Sequence, residues 1–177
     1  MKVVLHICCG VCAAGVAERL MAEGHDVSGF FYNPNIHPPE EFHRRLEVAH
    51  RVAGEFGFPL EVAPYRPEEW HREADSLAGE PEGGRRCEVC FRLRLEKTYR
   101  YMLDQGADAF TTTLTIGPRK SAEMINRIGR GIGGDSFMAR DFKKKAGFQR
   151  AIELARQWEL YRQNYCGCIY SMRDGKS

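Results

Sequence analysis

The stretch VVLHICCGVC, residues 3–12, decides how this sequence folds. Its first residues are mostly apolar and β-branched, a pattern typical of a buried strand in a parallel sheet. Three cysteines follow around Gly10, and a helical pattern runs over residues 13–23, where Gly24 is placed to end the helix. Because ligands bind at the carboxyl ends of strands in open α/β sheets, we expect a metal or redox site at this first turn.

Strand and helix patterns alternate along the rest of the chain. Further strands are predicted at residues 26–32, 60–63 and 108–113, and helices at residues 40–56, 67–77, 91–103, 121–128 and 148–158. This alternation predicts a mostly parallel α/β sheet in a single domain over residues 1–177. The C-terminal segment, residues 149–177, is expected to supply the last cysteines.

A glycine-rich stretch, residues 129–134, matches the G-x-G-x-x-G pattern of dinucleotide-binding proteins. It follows a predicted helix and not a strand, so its glycines would not open a helix onto a pyrophosphate. We therefore predict a flexible loop at this position. A short strand is predicted just after it, at residues 135–138.

The composition limits the classes of protein to be considered. The chain has no apolar run of about 18 residues, so we expect no transmembrane helix. Lys2 is followed by only five residues before the cysteines, too few for a signal peptide, and we expect a cytoplasmic protein. Residues 85–177 hold 19 lysines and arginines against 10 acidic residues. This basic half indicates either a polyanionic partner such as nucleic acid or an ordinary solvated surface.

The seven cysteines fall into three tight groups. They are Cys8, Cys9 and Cys12; the CxxC pair Cys87 and Cys90; and the CxC pair Cys166 and Cys168. Single cysteines of cytosolic proteins are often small buried hydrophobes, but grouped cysteines favour metal or cluster binding. A dithiol redox relay is the remaining alternative.

The number of thiols favours two neighbouring metal sites over one. A structural zinc ion and a [4Fe–4S] cluster each take four ligands, so seven thiols exceed either one. Since neighbouring side chains diverge, Cys8 and Cys9 are expected to serve two sites side by side, although one closed zinc site stays an alternative. His6, on the first strand, is interpreted as a core histidine, whereas the proline-rich loop around His37 is compatible with a binding or a turn role.

Six motifs in a fixed order resemble the QueH family of epoxyqueuosine reductases, which act without cobalamin. They are LHICCGVC at 5–12, FYNPNIHP at 31–38, CEVCFRLRL at 87–95, TTTL at 111–114, DFKK at 141–144 and YRQNYCGC at 161–168. The resemblance implies a HUP-type Rossmann-like fold with helices on both faces of the sheet. It also implies a [4Fe–4S] cluster beside a separate metal, expected to be iron. The implied reaction converts epoxyqueuosine to queuosine at the wobble position of tRNA.

All seven cysteines are expected to be metal ligands. Because open α/β sheets gather loops at the carboxyl ends of their strands, the three groups are also expected to meet there, at one active site. Cys8, Cys9 and Cys12 are expected to be catalytic, although some family members carry Asp at the position of Cys12. The expected ligands of the cluster come from a set that the sequence does not narrow further: Cys9, Cys87, Cys90, Cys166 and Cys168.

The expected partners are the anticodon loop of tRNA and an unidentified electron donor. Basic residues of the second half of the chain are candidates for contacts with the RNA: Arg92, Arg94, Arg119, Lys120, Lys143, Lys144 and Lys145. One alternative is an iron–sulfur tRNA-thiolating enzyme of the same fold. Those enzymes carry a Ser-Gly-Gly-x-Asp-Ser-like ATP loop where this chain has CCGVC, which argues against that class. A zinc or redox module that binds nucleic acid is the other alternative.

Overall fold

A four-stranded parallel sheet forms the centre of the protein, in the strand order β3-β2-β1-β4. The structure, a computed structural model, describes residues 1–173. The strands are β1 (Lys2–His6), β2 (Asp26–Phe31), β3 (Leu60–Val62) and β4 (Ala109–Thr112). β1 is central, with Val4 opposite Ser28 on β2 and Phe110 on β4. The predicted parallel α/β fold is therefore confirmed.

Helices cover both faces of this sheet. They are α1 (Gly10–Ala22), α2 (Pro39–Phe56), α3 (Pro67–Ala74), α4 (Arg85–Asp104), α5 (Ala122–Gly133), α6 (Gly147–Gln157) and α7 (Ile169–Arg173). Among the described residues, none of these helices is both long and apolar enough to cross a membrane. Residues 174–177 of the predicted C-terminal segment lie outside the described residues, and its extent as a unit stays a prediction.

Alternating side chains of β1 separate two hydrophobic cores. Val3 and Leu5 point into the core formed with α1, α2 and α6. Val4 points to the opposite face, where it packs with Phe110 and with the apolar residues of α4 and α5. Because successive side chains of a strand alternate between faces, one short strand anchors both layers. This arrangement fixes the carboxyl end of β1 at the middle of the molecule.

The glycine-rich stretch predicted as a loop is helical, because α5 continues to Gly133. A Cβ atom on Gly129 would lie 2.4 Å from the ring of Phe137, and one on Gly133 would lie 2.4 Å from the ring of Phe110. These glycines allow a helix to approach buried aromatic rings, which the sequence pattern did not reveal. The strand predicted at residues 135–138 is also wrong, since only an isolated bridge joins Phe137 to Phe110.

Helix α4 begins six residues earlier than predicted, at Arg85. Cys87 and Cys90 therefore lie within its first turns and do not precede it. Residues three apart lie on the same face of a helix, so both thiols can point to one neighbour. The pair lies at a helix N-terminus, as expected, but within the helix and not before it.

Candidate metal centre

The first three thiols meet where β1 passes into α1. Cys9 has an extended backbone and caps the helix, and its Sγ accepts a hydrogen bond from the Cys12 backbone N–H at 3.4 Å. The Sγ atoms of Cys8, Cys9 and Cys12 all lie within 4.8 Å of one another. The expectation that Cys8 and Cys9 diverge is wrong, because the chain turns from strand to helix at this point.

Close packing of α1 on α2 fixes this turn. A Cβ atom on Gly10 would lie 2.3 Å from Cγ1 of Val48 and 2.7 Å from its carbonyl carbon. Only glycine therefore allows α1 to begin so close to α2. The approach holds the three thiols at the carboxyl end of β1, as expected for a ligand site in this class of fold.

Thr113, the residue that follows β4, holds the Cys8 thiol in place. The Thr113 hydroxyl accepts a hydrogen bond from the Cys8 backbone N–H at 3.1 Å and donates one to Cys8 Sγ at 3.2 Å. His6 is fully buried, and its two ring nitrogens lie 2.9 Å from Thr112 Oγ1 and 3.1 Å from the Tyr32 carbonyl oxygen. Burial lowers the pKa of His6 to about 4, so the ring is neutral. The interpretation of His6 as a core histidine is confirmed.

The other four thiols line a second cavity, of about 50 Å³. Cys87 and Cys90 enter it from α4, and Cys166 and Cys168 enter it from the segment before α7. The Cys168 backbone N–H donates to Cys166 Sγ at 3.4 Å. The structure therefore gathers two cysteine groups that are about 80 residues apart in the chain.

Arg45 holds the C-terminal cysteines in place. This guanidinium is 3% exposed and donates to the carbonyls of Tyr165 and Cys166, each at 3.0 Å, and to the Glu41 carboxylate at 2.7 Å. The His37 backbone N–H also donates to the Gly167 carbonyl at 2.8 Å. Sequence reasoning missed Arg45. The available signal was a charged residue on the apolar face of α2.

Lys120 lies between the two thiol sites and lines the cavity of the four thiols. Burial lowers the pKa of this half-buried ammonium, but Cys8, Cys12 and Cys166 raise it overall, so the group stays charged. In return, hydrogen bonds with Cys12 and Cys9, then the charge of Lys120, hold the pKa of the Cys8 thiol well below its usual range. All three cysteine groups therefore approach this one cation.

The Cys166 thiol is stabilised as a thiolate in a similar way. A hydrogen bond with Cys168, then one with Ser171 and the charge of Lys120, hold the pKa of Cys166 well below its usual range. The same bond to Cys166, together with burial, raises the pKa of the Cys168 thiol. Each thiol site thus contains one thiol with a strongly lowered pKa, and the thiolate is the form that binds metals.

The donor sets fit the groups that the sequence implies. A tetrahedral ion with metal–sulfur bonds of ~2.3 Å has its sulfurs about 3.8 Å apart, within the spacing of Cys8, Cys9 and Cys12. In the four-thiol cavity, the buried Nε1 of Trp70 and Nε of Arg86 have no hydrogen-bond partner among the described residues. A buried N–H without an acceptor costs about 1–3 kcal/mol, and the sulfurs of a bound cluster would be acceptors.

Two of the basic residues predicted to contact RNA donate to backbone carbonyls of this chain, Arg94 from a buried position and Lys143 from a partly exposed one. Arg94 is 3% exposed, and its Nε donates to the Cys90 carbonyl at 3.2 Å. The Lys143 ammonium donates to the carbonyls of Thr115 and Lys120, each at 3.1 Å. These two side chains position the thiol sites and the turn that carries Lys120. The exposed members of the predicted set are Arg92, Arg119, Lys144 and Lys145.

Comparison with known proteins assigns the family. The family model described as epoxyqueuosine reductase QueH matches residues 3–174. The chain belongs to the QueH family. A relative of that name from Haemophilus influenzae is 39% identical, with 98% of this chain and 72% of the relative covered. The relative from Thermotoga maritima is 35% identical, with 96% and 90% covered. The resemblance found in the six motifs is confirmed.

Solved structures share the fold of this QueH chain at low sequence identity. A predicted subunit of tRNA methyltransferase from Methanocaldococcus jannaschii has a TM-score of 0.59 at 15% identity and covers 86% of this chain and 75% of its own. The U34-tRNA thiolase NcsA from Methanococcus maripaludis has a TM-score of 0.51 at 14% identity, covering 92% and 58%. These likenesses concern the fold alone, so the thiolase likeness does not favour the tRNA-thiolating alternative over the QueH family.

Proposed function

We propose that this chain reduces epoxyqueuosine to queuosine at the wobble position of tRNA. Membership of the QueH family over residues 3–174 supports the reaction. The observation that carries the proposal is that Lys120 lines both the four-thiol cavity and the neighbouring cleft that reaches Cys12, so that all three cysteine groups lie around it. A tRNA substrate agrees with a cytoplasmic location, which stays a prediction.

The proposed cofactors divide the seven thiols into two sets. Cys87, Cys90, Cys166 and Cys168 line one cavity and would hold a [4Fe–4S] cluster. The other three thiols, which lie within 4.8 Å of one another, would hold a mononuclear iron with an open coordination position. This division moves Cys9 from the candidates for cluster ligands to the set that binds the single metal.

The overall reaction takes two electrons and two protons, leaves an alkene and releases the epoxide oxygen as water. When bound, the cluster supplies electrons one at a time and the neighbouring metal ion supplies a Lewis acid. Hydrogen bonds from neighbouring thiols, with a smaller contribution from the positive charge of Lys120, lower the pKa of Cys8 and Cys166 and so favour their thiolate forms. Thr113 fixes the Cys8 sulfur by hydrogen bonding. The electrons come from a donor outside this chain.

The test combines metal analysis with turnover of the substrate. The anaerobically reconstituted chain should hold about five irons and about four sulfides, the sum of one [4Fe–4S] cluster and one iron. With dithionite as reductant, nucleoside mass spectrometry should detect queuosine in tRNA that carried epoxyqueuosine. A colourless protein with one zinc, or no queuosine from the iron-loaded protein, would overturn the proposal.

Two substitutions test the division of the thiols. Cys87→Ser should lose the sulfide and keep about one iron, whereas Cys12→Ser should keep the sulfide and lose about one iron. The two variants are matched, since each removes one thiol and retains six. Identical losses of iron and sulfide in both variants would refute the division into two sets.

A further inference from the structure

A larger cleft opens beside the four-thiol cavity, with a volume of about 520 Å³. The turn of residues 117–120 and the segment of residues 162–166 both line it. Phe148 and Ile152 of α6 contribute apolar surface, and Cys12 also lines the cleft. The cleft shares Lys120 and Cys166 with the four-thiol cavity, so it connects solvent with both thiol sites.

We propose that this cleft binds the target nucleotide, extruded from its RNA loop, with Arg119 and Arg162 on the flanking phosphates. The inference rests on the proposed function and adds the binding site and the residues that select the substrate. Bases of single-stranded loops can be splayed out and bound between side chains, which makes an extruded nucleotide a suitable ligand for a cleft of this kind.

Size separates the two cavities that reach the cysteines. Pockets for ligands of nucleoside size measure ~300–1,000 Å³, a range that includes the cleft and excludes the four-thiol cavity of about 50 Å³. Of these two cavities, only the cleft is therefore large enough to admit a nucleoside to the thiols. A nucleoside bound in the cleft would lie next to Cys12, Cys166 and Lys120.

The charges at the mouth of the cleft suit a phosphate backbone. Arg119 and Arg162 are exposed, and neither side chain has a hydrogen bond or ion pair with another residue of the described part of the chain. Lys120 adds a third cation, against a single carboxylate, Glu82, among the lining residues. Unpaired guanidiniums at a cleft are free to bind phosphate oxygens.

The walls also offer groups that recognise a base. Tyr165 and Phe148 provide aromatic rings, on which bases stack with little sequence preference. Gln163 and Asn164 carry amides, which both donate and accept hydrogen bonds at base edges and ribose hydroxyls. The cleft thus combines phosphate, stacking and hydrogen-bonding groups within one short segment, residues 162–165.

The first experiment compares two double variants of the metal-loaded protein. Arg119→Ala with Arg162→Ala removes both proposed phosphate contacts, and Arg51→Ala with Arg100→Ala removes two exposed arginines outside the cleft. The probe is an anticodon stem-loop RNA, followed by fluorescence anisotropy. Two lost contacts with a single strand should reduce the slope of log K for RNA binding against log salt by about 1.4. Between 50 and 200 mM salt, the unmutated protein should therefore lose about sevenfold more affinity than the variant that lacks Arg119 and Arg162.

The second experiment places 4-thiouridine at the wobble position of the same RNA and identifies the photo-crosslinked peptide. The proposal expects the crosslink on Phe148 or on residues 162–165. It is overturned if the crosslink lies elsewhere, or if the two double variants show the same salt dependence. Retained queuosine formation by the unmutated protein in either case would mean that the proposed function stands and the cleft is wrong. Loss of that activity in the unmutated, iron-loaded protein would refute the function itself.

Discussion

Two glycines of α5 offer a quantitative test of how this helix packs. Gly129 is buried against Phe137, whereas Gly131, two residues further on, is exposed with nothing within 4 Å of an added Cβ. We consider Gly129→Ala and Gly131→Ala. In both, alanine gains up to about 1 kcal/mol of helix propensity over glycine. This shared gain cancels when the two variants are compared.

The remaining difference measures the steric cost at Gly129. The new methyl group would lie 2.4–2.5 Å from three atoms of the Phe137 ring, and carbon atoms prefer separations of ~3.5–4.0 Å. The ring cannot retreat easily, because it packs against fully buried Phe110 with ring centroids 5.0 Å apart. Overpacking of a core costs about 1–3 kcal/mol, so Gly129→Ala should be less stable than Gly131→Ala by that amount.

Urea unfolding followed by circular dichroism measures the difference, with both variants in the same metal state. The two variants should have equal m-values, so the midpoints report the free energies of unfolding directly. Gly131→Ala should be as stable as the unmutated protein or slightly more stable. If the two variants agree within about 0.5 kcal/mol, the close approach of α5 to Phe137 is wrong.

Two further predictions concern the supports of the thiols. Arg45→Met should release the segment of Cys166 and leave Glu41 without its buried partner, at a cost of about 3–5 kcal/mol. The exposed control Arg44→Met should leave the midpoint of thermal unfolding nearly unchanged, and equal midpoints for the two variants would contradict this role of Arg45. Thr113→Val removes the hydroxyl that donates to Cys8 Sγ, and metal binding should weaken about 10- to 100-fold in a chelator competition assay. An unchanged affinity for the metal would exclude a role for this hydroxyl.

The four strands and most of the helices were predictable because the sequence signals for them are local. A β-branched run, a helix period and a terminal glycine each depend on a few neighbouring residues, as in the turn at Gly57, where the left-handed backbone ends α2. The helix through Gly129 was missed because its signal is not local. Gly129 and Gly133 make room for the rings of Phe137 and Phe110, and these contacts exist only in the folded protein.

The sequence identified the thiols of the candidate site but not their positions relative to one another. Spacing identified the three cysteine groups, while their division depends on the turn at Gly10 and on the cavity between α4 and the later segment. Lys120 was named as one of several surface cations, and only the fold sets it between the thiol groups. Arg94 was named as a candidate contact with RNA, although its position on the apolar face of α4, between Phe91 and Leu95, indicates a buried support.

The wide separation of the thiols along the chain has a consequence for biosynthesis. About 156 residues lie between Cys12 and Cys168, and at ~5–20 residues per second a ribosome needs about 10–30 s to make them. During that interval the nascent chain carries Cys8, Cys9 and Cys12, while the neighbouring cavity still lacks Cys166 and Cys168. Free thiols in this state are open to oxidation and to capture by zinc. A cofactor that uses thiols of the C-terminal pair can therefore bind only after Cys168 has been synthesised.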